Sequence, residues 1–316
     1  MADNLKFARW IEEWLLVRKA YIKESTFASY TNIVYGHILP RLGNFELAKM
    51  DSKTLQGFTL DLLQNGRQDG GGGLAVKTVR DTVMLVKNCL RAAMRERLIP
   101  LRDMGVSFPR SCQKARIQVL DQEQQRRLVQ AIYLNLTPKS AGILICLYTG
   151  LRIGEICALK WSDIDLKNKV LRVSKTVQRI YTKSADGGGC TKVLLTTPKT
   201  RASNREVPLS GMLCPVLAKM QPRDNTGFVL SGMEKCVEVR TYRSFFNMFL
   251  RTHGIDPIHF HGLRHTFATR CIEAGGDCKT VSELLGHSTV NMTLNLYVHP
   301  QLEQKRHCIE LLSNFL

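Results

Sequence analysis

The sequence predicts a mainly α-helical protein with a small antiparallel β-sheet, an α+β fold in two domains. Apolar residues recur at helical spacing over residues 1–98, which are predicted to form a helical domain. After residue 116 helical stretches surround short strand-like runs, so residues 117–316 are predicted to be a mixed domain. Between them, residues 99–116 combine proline, glycine and basic residues without periodicity, which is typical of a linker.

The N-terminal domain is predicted to contain four helices. The first has a helical apolar stripe, made of Phe7, Trp10, Ile11, Trp14 and Leu15. The second is predicted from Ser25 until Pro40 and Gly43 end it, and Asp51 is predicted to cap the third. Residues 64–73 are predicted to form a loop, because four consecutive glycines lose too much backbone entropy inside a helix.

The fourth helix, predicted over residues 76–98, has an apolar face and a basic face. The basic residues are Lys77, Arg80, Lys87, Arg91, Arg95 and Arg97. Such a face fits the phosphates of DNA, and Lys77, Arg80, Lys87 and Arg91 are the candidate DNA contacts. An ordinary solvated helix surface explains any one of these residues equally well.

The second domain is predicted to begin with helices over residues 122–133 and 140–148. Strands are predicted over residues 170–181, 193–197 and 205–209, and helices follow to the end of the chain. The last segment, residues 301–316, is predicted to be a tail with a helical apolar stripe that needs a surface to cover it.

The charge balance favours a polyanionic partner. The 316 residues contain 45 Lys and Arg against 27 Asp and Glu, a net charge of +18. Each cation that meets a phosphate releases counterions, so a nucleic acid is the partner favoured by this excess. Charge alone leaves RNA and an acidic membrane surface as alternatives.

Localisation is predicted to be cytoplasmic. The first residues carry charge throughout, which is unlike a secretory signal, and the apolar stretch near Ala141 to Tyr148 is too short to span a bilayer. Ten cysteines occur without a CxxC pair, which is typical of reduced thiols rather than of disulfides or structural zinc.

Three separated motifs carry candidate chemistry, and each alone has an ordinary structural explanation. In TGLRIGE, residues 149–155, Arg152 is predicted in the first turn of a helix, where backbone N–H groups favour an anion. The alternative is a surface arginine at a helix start.

In HFHGLRHTFATR, residues 259–270, His261 and Arg264 share a helix face, as do His261 and His265. The alternatives are a buried structural histidine and a metal site on His261 and His265. The metal site lacks a clear third ligand. In ELLGHSTVNMTLNLYVHP, residues 283–300, His287 follows a helix end and Tyr297 lies near the end of a short helix. A lone tyrosine is more often a packing residue.

In this order and spacing, TGLRIGE, HGLRH and LGH followed by a tyrosine resemble the tyrosine recombinase (phage integrase) family. The likeness covers the chain from about Leu120 onward and is greatest to integrases of phages and conjugative transposons. The segment from WIEEWL to HILPRLGNFEL is similar to the helical, SAM-like core-binding domain of that family, with looser motifs. Some members carry a further small domain ahead of it for accessory DNA sites. This sequence has no room for one, so that domain is expected either to be absent or to have been removed by truncation.

The resemblance adds a lysine on a β-hairpin. Lys199, in Thr-Pro-Lys-Thr followed by Arg205 and Val207-Pro208, matches the family's hairpin. Lys175 is a rival that lacks the turn and the return strand, so Lys199 is the predicted residue.

The resemblance implies a role for each matched residue. Tyr297 attacks a DNA phosphate and forms a 3′-phosphotyrosine, Arg152 and Arg264 clamp the phosphate, and His261 accepts the tyrosine proton. Lys199 donates a proton to the leaving 5′ oxygen, His287 binds near the phosphate or the tyrosine, and Glu155 orients Arg152 or His261. No metal or cofactor is expected, because the phosphotyrosine ester retains the bond energy for rejoining.

The family further implies that a homotetramer acts on two DNA duplexes carrying recombination sites, with an accessory protein that sets direction. Two other function classes remain at this stage. A type IB topoisomerase shares much of the chemistry and only relaxes DNA. A non-enzymatic DNA-binding regulator explains the charge and leaves the motif residues as a coincidence.

Overall fold

The structure, a computed structural model, describes residues 4–109, 118–183, 188–197, 201–297, 306, 309 and 310. For residues 182, 183, 201 and 295–297 it describes the backbone only. The chain divides into two compact units, residues 1–115 together with 180–192, and residues 116–179 together with 193–316. Each unit has its own apolar core.

The first unit contains the predicted helices. They are α1 (Phe7–Lys19), α2 (Glu24–Ile33), α3 (Leu39–Leu42), α4 (Ser52–Asn65) and α5 (Val76–Arg95). The five apolar residues predicted for α1 are all buried. Trp10 Nε1 donates to the Cys89 carbonyl at 3.2 Å and so fastens α1 to α5. The predicted cap of α4 is confirmed, since the Asp51 carboxylate accepts from the Thr54 N–H at 2.7 Å.

Gly43 ends the second predicted helix as expected, since it is the C-cap residue of α3, but Pro40 lies inside the helix, so that part of the prediction is wrong. α2 continues through a π-helical turn, Val34–Ile38, into α3, which has Pro40 near its start. Proline has no N–H, so the carbonyl of Gly36, four residues earlier, loses its usual helical donor. Gln68 Nε2 donates to that carbonyl at 3.0 Å and satisfies it. The fourth predicted helix also ends early, at Arg95, and Arg97 has a positive φ of 58°.

The second unit is mainly helical and contains a three-stranded antiparallel sheet, which confirms the predicted fold class. Its helices are α6 (Gln122–Leu134), α7 (Pro138–Thr149), α8 (Ile153–Ala158), α9 (Cys214–Met220), α10 (Val239–Thr252), α11 (Phe260–Glu273), α12 (Cys278–Leu285) and α13 (Val290–Tyr297). The strands of that sheet are β1 (Ile164–Asp165), β2 (Val170–Val173) and β5 (Arg205–Pro208). A second sheet consists of β3 (Thr176–Lys183) and β4 (Gly189–Thr196), of which residues 180–183 and 189–192 are counted with the first unit.

The strand predicted over residues 170–181 is two strands that belong to different sheets. β2 lies between β1 and β5, and β3 pairs only with β4. The ladder between β2 and β5 runs from Val170 opposite Pro208 to Val173 opposite Arg205. β5 begins at Arg205, so the chain leaves this sheet after Val173.

Two helix ends position the motifs of the second unit. α7 and α12 each end at a glycine in the left-handed conformation, Gly150 (φ 66°) and Gly286 (φ 64°). A Cβ on Gly150 would lie 2.5 Å from the Phe267 ring, and one on Gly286 would lie 2.9 Å from the Ala202 carbonyl oxygen. These positions therefore require glycine twice over, for backbone conformation and for space. Of the helices that the structure describes, none is long and apolar enough to cross a membrane.

Candidate active site

The end of α12 holds three arginine side chains that come from separate parts of the chain. Its last carbonyl groups have no partner within the helix and carry the negative end of the helix dipole, which favours cations. The donor and acceptor pairs are Arg205 with Leu284, Arg264 with Leu285 at 2.7 Å, and Arg152 with Gly286 at 3.0 Å. We call Arg152, Arg205 and Arg264 the arginine cluster.

Arg264 is the most deeply buried member, with 1% of its surface exposed. Its Nη1 donates to the Gly150 carbonyl at 2.8 Å, while Nη2 donates to Leu285. The guanidinium therefore joins the ends of α7 and α12. A lysine has no planar fork with which to make both contacts.

Arg152 lies just before α8 as its N-cap residue, rather than in the first turn as predicted. Glu155 holds it twice, because Oε2 accepts from the Arg152 N–H at 2.9 Å and Oε1 accepts from Nη1 at 2.8 Å. These are the contacts that the orienting role predicted for Glu155 needs, and the role itself stays a prediction. About a third of the Arg152 side chain, 35%, remains exposed and can receive an anion.

Arg205 was not predicted as a site residue. Its side chain is only 7% exposed, and its Nη1 and Nη2 donate to the two Glu155 oxygens at 3.3 and 3.0 Å. A charged residue at the start of a short strand is ordinarily a solvated one, so its position in the sequence carries no signal of this burial.

Glu155 stays ionised although it is 3% exposed. Burial raises the pKa of its carboxyl, but Arg205 first and Arg152 second outweigh that effect, and the pKa is lowered overall. The three guanidiniums of the arginine cluster and the carboxylate of Glu155 together carry a formal charge of +2. A site of this charge, with Arg152 partly open, is suited to a phosphate or another oxyanion.

Two of the predicted histidines lie beside the cluster and are neutral at neutral pH. Partial burial, His265 and the cations Arg264 and Arg152 lower the pKa of His261 to about 4, although its ring is open to solvent at the start of α11. A neutral imidazole can accept a proton, as a general base must.

His287 is half-buried directly after Gly286. Burial, followed by Arg264, Arg152, His261 and Arg205, lowers its pKa to about 4. Its Nδ1 lies 2.9 Å from the hydroxyl of Thr293, a fully buried residue of α13 that was not predicted.

A cavity of about 540 Å³ opens beside these groups. It is lined by Leu151, Ile153, Arg243, Asn247, His259, Phe260, His261 and Arg264. Arg243 is an exposed cation on α10 that was not predicted as a site residue. Of the arginine cluster, Arg264 lines this cavity, and Arg243 adds a second cation to its wall.

Two predicted residues cannot be placed in the site. Tyr297 is the last residue of α13, and its backbone alone is described. Lys199 lies outside the described residues. The rival Lys175 is described and is exposed between β2 and β3. The roles of Tyr297 and Lys199 therefore stay predictions.

The candidate DNA contacts in the first unit lie along α5. Lys77, Arg80 and Arg91 are exposed and Lys87 is half-buried. Arg80 lies 5.2 Å from the centre of the Phe108 ring, and Arg91 donates to Asn88 at 3.0 Å. Among the described residues, no acidic side chain forms an ion pair with these four cations.

The rings of His261 and His265 have centres 4.6 Å apart, which is the pair that the metal alternative requires. Within the described ranges, no group of three histidine, cysteine or acidic residues is arranged to hold a metal ion.

Two family models match the sequence. The phage integrase family matches residues 118–304, and the N-terminal SAM-like domain of phage integrases matches residues 6–63.

Several curated relatives are similar over nearly the whole chain. A XerC-like tyrosine recombinase of Caldanaerobacter subterraneus subsp. tengcongensis is 28% identical, over 92% of this chain and 78% of the relative. The ICEBs1 integrase of Bacillus subtilis is 21% identical, over 99% of this chain and 84% of the relative.

Solved structures share the fold. The Tn1549 transposon integrase in complex with transposon right end DNA has a TM-score of 0.77, at 19% identity over 98% of this chain and 100% of the other. A lambda integrase tetramer bound to a Holliday junction has a TM-score of 0.65, at 18% identity over 94% of this chain and 78% of the other.

Proposed function

The chain belongs to the phage integrase family of tyrosine recombinases, and on that premise we propose that it cuts and rejoins DNA at specific sites through a 3′-phosphotyrosine at Tyr297. The observation that carries the proposal is the arginine cluster, with a formal charge of +2 beside two neutral histidines. A phosphodiester gains charge on its non-bridging oxygens as a nucleophile attacks, and fixed guanidiniums stabilise that charge. Arg152 and Arg264 are the proposed clamps.

The proposed reaction is a transesterification in two steps. The Tyr297 oxygen attacks phosphorus and forms a P–O bond as the bond to the 5′ oxygen breaks. His261 accepts the tyrosine proton and Lys199 protonates the departing 5′ oxygen. Tyrosine has an ordinary pKa of about 10, so it needs a base near neutral pH. In the second step a 5′ hydroxyl from a partner strand attacks the phosphotyrosine and releases Tyr297.

The proposed substrate is a pair of DNA duplexes with recombination sites, joined by a tetramer of this chain. The basic face of α5 supports DNA binding by the first unit, because its cations have no acidic partner among the described residues. The ICEBs1 and Tn1549 relatives support a role in integrating or excising a mobile element. Direction would be set by an accessory protein.

The test is Tyr297→Phe on a nicked suicide substrate, in which the cleaved strand cannot be rejoined. We expect the wild-type chain to form a covalent protein–DNA complex that survives denaturation, and the variant to form none while it binds the DNA normally. Tyr148→Phe, in α7, is the matched control. An undiminished covalent complex from Tyr297→Phe would exclude that nucleophile.

Products separate the competing functions. A recombinase joins two marked duplexes, whereas a topoisomerase yields only relaxed circles. A DNA-binding regulator yields no covalent complex at all.

A further inference from the structure

Arg205 joins three segments that carry the proposed chemistry. Its two terminal nitrogens bind the carboxylate of Glu155, and its Nε donates to the Leu284 carbonyl at the end of α12, shortly before His287. Nη1 also donates to the Ser203 carbonyl at 3.2 Å, in the segment that follows Lys199. Arg152 contacts the same carboxylate in a different way, with Nη1 and its backbone N–H.

We propose that Arg205 is a positioning residue that balances the charge of Glu155 and so leaves Arg152 able to bind the DNA phosphate. The proposal rests on the proposed function for the identity of the anion. Both terminal nitrogens of Arg205 bind Glu155, and Arg205 is not among the residues that line the cavity, whereas Arg264 is, so Arg205 is not expected to touch the phosphate.

The charge argument follows from the contacts of Glu155. This carboxylate accepts four hydrogen bonds, two from Arg152 and two from Arg205. Without Arg205, Glu155 is a buried carboxylate that keeps Arg152 as its one cationic partner among the described residues, and the formal charge of the cluster with Glu155 falls from +2 to +1. Arg152 is then held more strongly by Glu155 and is less available to an incoming anion.

This reasoning predicts a rescue. Arg205→Met removes the charge and keeps an apolar chain of similar length. Adding Glu155→Gln removes the unbalanced carboxylate and restores +2. We expect Arg205→Met to slow single-turnover cleavage of the suicide substrate by about 10- to 100-fold, and the double variant to be at least about fivefold faster than Arg205→Met. Glu155→Gln alone completes the double-mutant cycle. A merely structural pair would also recover stability in the double variant, because no buried charge is left unpaired. The melting temperature without phosphate must therefore be compared with the cleavage rate, and a purely structural role leaves the effect of phosphate unchanged in every folded variant.

Arg172 and Glu206 provide a matched control in the same sheet. Their ion pair is 3.0 Å long with side chains 68% and 63% exposed, and they lie opposite each other in the ladder of β2 and β5. Arg172→Met and Arg172→Met with Glu206→Gln are expected to cleave at the wild-type rate, because exposed pairs contribute little.

A second measurement does not depend on cleavage. Inorganic phosphate should raise the melting temperature of the wild-type protein. The rise should be smaller for Arg205→Met and nearly as large as that of the wild type for the double variant. The melting temperature without phosphate shows whether each variant folds.

The outcomes separate this inference from the proposed function. If the wild type forms no covalent complex while the phosphate shifts follow the rescue pattern, the proposed function fails and the inference holds. Where the wild type does cleave, two results would show that the inference is wrong. One is that Arg205→Met cleaves as fast as the wild type. The other is that the double variant recovers neither the cleavage rate nor the phosphate-induced shift in melting temperature.

Discussion

At the scale of single residues, the site depends on which groups carry charge. His261 and His287 are neutral near pH 7 because burial lowers the pKa of each imidazole, and the nearby cations Arg264 and Arg152 lower it further. Glu155 is charged for the opposite reason, since two arginines bind it. Arg152 contributes to both effects, since it helps to keep the proposed base able to accept a proton and the proposed orienting carboxylate ionised.

Stability should fall as the pH decreases from about 6.5 to about 4. The pKa of His261 and of His287 is lowered to about 4 in the folded chain, whereas an unfolded histidine titrates near 6.5. Between these values the unfolded state binds protons that the folded state does not, so acid favours unfolding. The double variant His261→Gln and His287→Gln should lose less melting temperature between pH 7 and pH 4 than the wild type.

The control for this comparison is His253→Gln, which removes a histidine of the same unit that lies outside the cluster and whose ring packs on Phe249. If the wild type and the double variant lose the same melting temperature between pH 7 and pH 4, the expected lowering of both pKa values is contradicted.

The choice between Lys199 and Lys175 has a chemical test. Lys199→Ala should slow cleavage of ordinary DNA by about two to four orders of magnitude, because the 5′ oxygen then leaves without its proton donor. A substrate with sulfur at the 5′ bridging position should restore cleavage, since a thiolate leaves without a proton. Lys175→Ala is the matched variant. If the sulfur substrate restores cleavage by Lys175→Ala and does not restore cleavage by Lys199→Ala, Lys175 is the acid.

Some of these residues could be predicted from the sequence and others could not. Motif spacing placed Arg152, His261, Arg264 and His287 in one candidate site, and the structure brings those four together. Arg205 and Thr293 could not be predicted from the sequence, because their importance comes from tertiary contacts with Glu155 and His287. Arg205 was noted only as part of the hairpin motif beside Lys199, and that motif does not show that its side chain is buried against Glu155.

At the scale of secondary-structure elements, the end of α12 organises the site. Three consecutive carbonyls, 284 to 286, receive the three members of the arginine cluster. The left-handed turn at Gly286 ends the helix and directs the chain to His287, which contacts Thr293 of α13. One short helix thus links the proposed phosphate clamp to the helix that ends in Tyr297.

Gly286→Ala should damage both stability and cleavage. Its φ of 64° disfavours a side chain, and a Cβ would lie 2.9 Å from the Ala202 carbonyl oxygen, so the carbonyls that hold the arginines must move. Gly275→Ala is the matched control, because Gly275 also has a positive φ, 86°, but has open space around it. We expect the control to lose about 1 kcal/mol of unfolding free energy and to keep its cleavage rate.

For Gly286→Ala we expect at least the same loss of stability and a cleavage rate reduced by about tenfold or more. Unfolding is measured in urea and cleavage on the suicide substrate. Equal cleavage rates for the two alanine variants would mean that the end of α12 does not set the arginine geometry.

Helix positions were predictable where a local signal fixes them, and less so where a distant contact does. The Asp51 cap and the glycine ends of α7 and α12 follow from local chemistry. Pro40 misled the prediction because Gln68, far along the chain, satisfies the carbonyl that proline leaves without a donor. The division between β2 and β3 was missed because both segments have strand-like composition, and only pairing with β5 or β4 separates them.

At the scale of the whole molecule, the remaining question is how the chain assembles on DNA. The predicted tail, residues 301–316, has an apolar stripe of Cys308, Ile309, Leu312, Phe315 and Leu316. The structure describes only residues 306, 309 and 310 of it, and there Ile309 is 63% exposed. An apolar stripe of this kind needs a partner surface, which either the same chain or a neighbouring subunit can supply. We propose that a neighbouring subunit supplies this surface, which implies a cyclic, head-to-tail contact.

Deleting residues from Gln301 onward should therefore abolish the tetramer on paired recombination sites and leave binding to a single site intact. Cleavage at a single site should persist, or rise if the tail also restrains Tyr297. Electrophoresis of DNA complexes together with sedimentation measures the assembly. Ile309→Asp should reproduce the deletion, whereas Arg306→Ala, which changes an exposed polar position of the same segment, should not. Loss of a contact between subunits must weaken assembly by mass action. A truncated chain that still forms tetramers and recombines at the wild-type rate would therefore show that the tail packs on its own subunit.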